Sequence, residues 1–240
     1  MPNKRLLIYH LPVPSHQYGS FITFEGLDGC GKSTQLERLA DVLRKQGLPI
    51  VVTREPGGTA TGEKIRRLLL DTATAGLSPQ AELALMFGSR AQHIAEVIQP
   101  AMAAGNIVLC DRFTDSTEAY QGGGRKLGSQ PVLELHRILC GDLQPGLTIL
   151  MDSDVAASVD RARRRNKADA AKNDGAGNNE NRFEQESREF FERVRTAYLA
   201  IAARETQRVV LVDARGPAAD THATIVETVR QRVRLAAKSA

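Results

Sequence analysis

Residues 24–35 read FEGLDGCGKSTQ, directly after the apolar run FIT and ahead of leucines spaced as one helix face. Within this stretch Gly26-Leu27-Asp28-Gly29-Cys30-Gly31-Lys32-Ser33 satisfies GxxxxGK[ST], with a strand before it and a helix, opened by Thr34, after it. Glycines permit backbone angles that turn successive amide N–H groups inward, and the helix N-terminus adds partial positive charge. The loop is therefore built to hold a nucleoside triphosphate. Lys32 reaches its β- and γ-phosphates, and Ser33 offers a hydroxyl oxygen to Mg²⁺. Cys30 fills a slot for a small side chain.

Beyond that loop, short apolar runs alternate with amphipathic stretches. FITFE, PIVVT, NIVLC, LTILM and RVVLV are the predicted strands. Helical periods run through Leu36, Leu39, Ala40 and Leu43, from Ala81 to Met102, through Phe190, Val194 and Tyr198, and through Ile225, Val229 and Val233. The alternation predicts an α/β fold with a parallel sheet covered by helices on both faces. At 240 residues, 42% hydrophobic and 25% charged, one domain over residues 20–240 is expected. Residues 1–19, interrupted by Pro12 and Pro14, read as a disordered extension or a start-codon artefact, too broken for a signal peptide. No apolar run is long enough to span a membrane. Cys30, Cys110 and Cys140 are widely spaced, which argues against a disulfide framework or zinc site and for a reducing cytoplasm. The net charge of +4 is modest and concentrated near residue 163, so a small anionic ligand is favoured over nucleic acid.

Residues 161–182, RARRRNKADAAKNDGAGNNENR, contain no apolar side chain larger than alanine and predict a mobile flap or solvated loop. Asn166-Lys167-Ala168-Asp169 fits the guanine-reading NKxD pattern but follows arginines rather than a buried strand. The only plausible DxxG beyond the phosphate loop, Asp213-Ala214-Arg215-Gly216, follows it, the reverse of the order in small GTPases. A GTP-binding switch is thus the weaker reading. A basic nucleic-acid module is weaker still, for want of an aromatic-studded basic face. Asp111 closes a strand and Arg112 follows at once, inviting a phosphate. The loops TREPGGT and AYQGGGR should converge with the phosphate loop at the carboxyl ends of the strands.

FEGLDGCGKST, TREPGGT, the arginine of FGSRAQH, CDRF, AYQGGGR and NRFEQESREFF, in that order over roughly residues 20–235, resemble the bacterial thymidylate kinase family of P-loop nucleoside monophosphate kinases. The resemblance implies a five-stranded parallel sheet, a flexible arginine-rich lid over about 161–182, homodimers, and a place in nucleotide biosynthesis. The implied reaction moves the γ-phosphoryl group of ATP onto dTMP with Mg²⁺; a kinase for another nucleoside monophosphate or a deoxynucleoside is the alternative. It further implies that Lys32 and Asp28 are catalytic, that Arg66 and Arg112 grip the acceptor phosphate, and that Ser33 and Asp111, with Asp28, organise Mg²⁺. Glu55 would sit near the sugar 3′-hydroxyl, Arg90 and Gln121 would face the base, and Tyr120 belongs to the same acceptor site. Some members carry an arginine in the phosphate loop. Here the matching position is Gly29, so the charge should come from Arg161, Arg163, Arg164 or Arg165, with Arg165 the expected one. Met86 stands where the family usually has a base-stacking phenylalanine, with Phe87 beside it, and residues 167–179 exceed the usual lid.

Overall fold

The computed structural model describes residues 21–74, 76–141, 143–172 and 182–233, the side chains of 168–172 excepted. The N-terminal segment 1–19 and residues 173–181 of the expected lid lie outside it. Strands β1 (Phe21–Gly26), β2 (Ile50–Arg54), β3 (Ile107–Asp111), β4 (Leu147–Asp152) and β5 (Val209–Asp213) are parallel, in the order β2-β3-β1-β4-β5. All five were predicted. Phe21, Ile22 and Phe24 of β1 are fully buried, as a strand covered on both faces requires. Thr23, also buried, faces its register partner Thr148 with the two hydroxyls 2.8 Å apart.

The helices are α1 (Lys32–Lys45), α2 (Ala60–Leu70), α3 (Pro79–His93), α4 (Gln99–Ala103), α5 (Thr114–Thr117), α6 (Ser129–Cys140), α7 (Val155–Lys172), α8 (Arg188–Arg204) and α9 (Ala218–Arg232). Leu36, Leu39 and Leu43 of α1 pack with Ile225 and Val229 of α9 in one core cluster. Leu83 and Phe87 of α3 join Val132 of α6, Phe21 and Val108 in another. Because β1 lies between β3 and β4, the chain reverses direction across the sheet there, and a crevice opens at the strands' carboxyl ends.

Three local readings change. AYQGGGR is no loop: Glu118–Gly124 forms a wide helical turn continuing α5. Its glycines let α8 approach, since a Cβ on Gly124 would stand 2.5 Å from the Phe190 ring and one on Gly123 2.6 Å from the Ala197 Cβ. The arginine-rich stretch is helical through Lys172, because it continues a helix already anchored by buried Val155 and Ala162. Arg182, the expected end of the mobile segment, is 5% exposed: its Nε donates to the Leu69 carbonyl at 2.7 Å and its guanidinium covers the Phe183 ring.

Candidate active site

The phosphate loop joins β1 to α1, with Gly31 at φ 98° just before the first turn. Lys32 is buried and folded back, its Nζ donating to the carbonyls of Gly26 at 3.1 Å and Leu27 at 2.9 Å. The side chains of Leu27 and Cys30 turn into the core, so this part of the loop offers backbone groups. Burial pushes the Cys30 thiol up, which suits a packing residue rather than a redox group. Gly29 explains its own identity. It has φ 78°, and a Cβ there would stand 2.2 Å from the Ser158 carbonyl oxygen of α7. No arginine fits.

That loop borders a cleft of about 1000 Å³, whose other walls include Ser33, Thr34, Arg54, Asp111, Arg161 and Arg165. The Ser33 hydroxyl donates to Asp111 Oδ2 at 2.6 Å, while Asp111 Oδ1 is buried without a hydrogen-bond partner. Of the four clustered arginines, Arg161 donates from Nε to the Gly29 carbonyl at 2.7 Å, and Arg165 stands 3.9 Å from Glu184. Arg163 turns away to the carbonyls of Glu184 and Glu186.

A second cavity, about 660 Å³, lies alongside. Met86, Arg90, Phe113, Thr117, Tyr120, Gln121 and Phe183 line it, and Asp28, Glu55, Arg66 and Arg112 line both cavities. Phe87 does not stand in for a stacking ring. It is fully buried in the core, and Met86 alone of the two reaches the cavity.

The shared wall is tightly bonded. Arg112 has a left-handed backbone, φ 74°, a conformation most side chains avoid. Its Nη2 donates to Asp28 Oδ1 at 2.7 Å and the Tyr120 hydroxyl at 3.2 Å, its Nη1 to Ser116 at 2.8 Å and Tyr198 at 3.1 Å. Burial alone would raise the Asp28 carboxyl, but the charges of Arg112 and Lys32 outweigh it and hold the group well below the usual carboxylate range. Beneath, fully buried Glu25 accepts from the Phe113 N–H at 2.7 Å, the Tyr198 hydroxyl at 3.0 Å and the Ser116 hydroxyl. Burial and the nearby Asp115 push it up to about 7. Arg66 donates to the Pro56 carbonyl at 3.0 Å.

Toward the far end, Arg90 is 2% exposed. Its Nε donates to Glu55 Oε2 at 2.7 Å and its Nη2 to Thr117 at 2.8 Å, while Nη1 is buried with no partner. The other Glu55 oxygen meets His93 Nδ1 at 2.9 Å, and Thr53 lies 2.6 Å from the far ring nitrogen. Glu55 therefore lies at the shared wall with both oxygens engaged. Gln121 donates from Nε2 to buried Glu82 at 2.8 Å.

Two cavities joined by an arginine-bearing wall, one headed by a phosphate loop, suit the joining of two anionic ligands. The thymidylate kinase family model matches residues 24–225. The chain belongs to the thymidylate kinase family. It is 47% identical over 213 residues to the thymidylate kinase of Pelobacter propionicus, covering 89% of this chain and 94% of that one. It is 48% identical over 217 residues to that of Pseudomonas savastanoi pv. phaseolicola, covering 90% and 98%. Among solved structures, thymidylate kinase from Ehrlichia chaffeensis matches with a TM-score of 0.68 at 29% identity, covering 87% of this chain and 97% of that one. This family member is thus an ATP-dependent nucleoside monophosphate kinase.

The site also holds residues that sequence reasoning passed over. Ser116, Thr117 and Tyr198 had no motif to mark them. Glu25 sits inside FEG and Phe183 inside NRFE, so for those two a signal was present.

Proposed function

We propose that the wall shared by the two cavities is where the phosphoryl group changes hands. The reaction is transfer of the γ-phosphoryl group of ATP to dTMP, giving dTDP and ADP. The triphosphate occupies the larger cleft over Lys32, dTMP occupies the smaller cavity, and the acceptor phosphate rests against Arg66 and Arg112. One observation carries this placement: those two arginines line both cavities, so two anionic groups can be aligned with their mutual repulsion screened.

Lys32 exchanges two loop carbonyls for phosphate oxygens, a stronger, charge-assisted contact. Asp28, turned to Arg112 and Tyr120, aims the Arg112 guanidinium. Since Gly29 admits no side chain, Arg161 and Arg165 of α7 supply positive charge to the transferring group. Glu55 fixes Arg90, whose free Nη1 meets the base. Ser33 and Asp111 fit a Mg²⁺ ion or its water shell, because buried Asp111 Oδ1 is an acceptor awaiting a partner. The ion, when bound, would neutralise charge on the β- and γ-phosphates.

A homodimer is supported by the exposed Leu133, Ile138 and Leu139 of α6, and a cytoplasmic setting by three buried free cysteines. Among the described residues no helix is long and apolar enough to cross a membrane.

The test is kcat/KM for dTMP, dUMP, UMP, CMP and GMP under the same ATP concentration. dTMP should lead. A preference for another acceptor would overturn the base-facing roles given to Arg90 and Gln121.

A further inference from the structure

Glu82 has no part in the chemistry above, yet it is fully buried on α3, one turn before Met86 and two before Arg90. It accepts from Gln121 Nε2 at 2.8 Å, from Arg125 Nε and Nη2 at 3.2 Å each, and from Arg182 Nη2 at 2.6 Å. Both arginines are themselves held. Arg125 pairs with Glu186 and lies 4.9 Å over the Phe190 ring, while Arg182 is fixed by the Leu69 carbonyl.

A carboxylate flanked by two guanidinium groups has only acceptor positions to offer. Gln121 must therefore present its NH₂ to Glu82, because the reverse orientation would set its carbonyl oxygen against a negative charge. That leaves Oε1 as the Gln121 atom available to the cavity it lines. Arg90 Nη1, buried and unpartnered on the same cavity, is a fixed donor. One fixed donor and one fixed acceptor match a 4-oxo pyrimidine, whose O4 accepts and whose N3–H donates. A 4-amino pyrimidine reverses both, with its amino group donating and its N3 accepting.

We infer that Glu82 is a specificity-determining positioning residue: by locking the polarity of the Gln121 amide, it admits 4-oxo pyrimidine nucleotides and rejects 4-amino ones. The inference rests on the placement of the acceptor base beside Arg90 and Gln121. Arg125 and Arg182 share in it by holding Glu82 in place.

The experiment measures kcat/KM for dTMP and dCMP in the wild-type chain, in Glu82→Gln, in Gln121→Leu and in the double variant. A glutamine at 82 can donate or accept, so the Gln121 amide becomes free to turn. The dTMP-to-dCMP ratio should then fall by about tenfold or more. In the Gln121→Leu background the same change should leave the ratio within about twofold, since the effect acts through the amide. Should Glu82→Gln fail to fold, Glu82→Gln with Arg182→Met keeps the buried charge balanced, and its ratio is read instead. A folded variant that lowers both rates together and keeps the ratio would overturn the inference, as would a ratio that still falls without Gln121. A wild-type chain that does not prefer dTMP would overturn the proposed base placement itself.

Discussion

Around the acceptor cavity, Arg90, Glu55 and Glu82 are at most 4% exposed, and each is held by two or more side chains. Around the triphosphate cleft the Arg165 side chain is 56% exposed and meets a single carboxylate at 3.9 Å, and Lys32 rests on carbonyls of its own loop. The first cavity is set before any ligand arrives. On the proposed placement of ATP, the second would be completed by its ligand. Recognition of the base calls for donors and acceptors fixed in advance, where a wrong partner leaves buried polar groups unpaired. Transfer calls for charge that gathers around the triphosphate after it binds, which exposed arginines on α7 can supply.

If that contrast is sound, substitutions on the two sides should fail in different ways. Lys32→Ala should reduce phosphoryl transfer by about a thousandfold or more, a loss read by steady-state turnover, while the urea midpoint hardly moves. Arg90→Met should weaken dTMP recognition and, unlike Lys32→Ala, also cost stability. It leaves Glu55 buried beside His93 without its arginine, which should destabilise the fold by about 3–5 kcal/mol in urea titration. Arg165→Ala should lower kcat by about a hundredfold with KM for dTMP within about twofold and stability within about 0.5 kcal/mol. Comparable losses of stability from Arg90→Met and Arg165→Ala would erase the contrast.

Glu25 sharpens it from beneath the shared wall. In the folded chain the group holds its proton up to about pH 7, whereas unfolded it releases it near its usual value of 4.5. The folded state thus binds more protons between these values, and this contribution makes stability fall as pH rises from about 4.5 to 7. Glu25→Gln should remove that part of the slope, roughly 2–3 kcal/mol, in urea titrations across the window.

The strands and the phosphate loop were legible because period-2 and period-3.6 patterns and GxxxxGK[ST] report local backbone demands directly. Residues 118–124 were not, since three glycines read as a loop until α8 is seen packed against them. Arg182 was hidden in the same way: its polar neighbours suggested solvent, while its partners Leu69 and Glu82 are 113 and 100 residues away. Residues of the proposed acceptor site could be picked out from motifs, but Glu82, Tyr198 and His93 meet them through contacts that sequence spacing does not encode.

The most direct test is a crystal structure with dTMP and a non-hydrolysable ATP analogue bound together. The acceptor phosphate should lie within about 3.2 Å of guanidinium nitrogens of Arg66 or Arg112, with Lys32 Nζ moved from the Gly26 and Leu27 carbonyls to the triphosphate. Both guanidinium groups remaining remote from either nucleotide, with Lys32 still on its loop, would contradict the account.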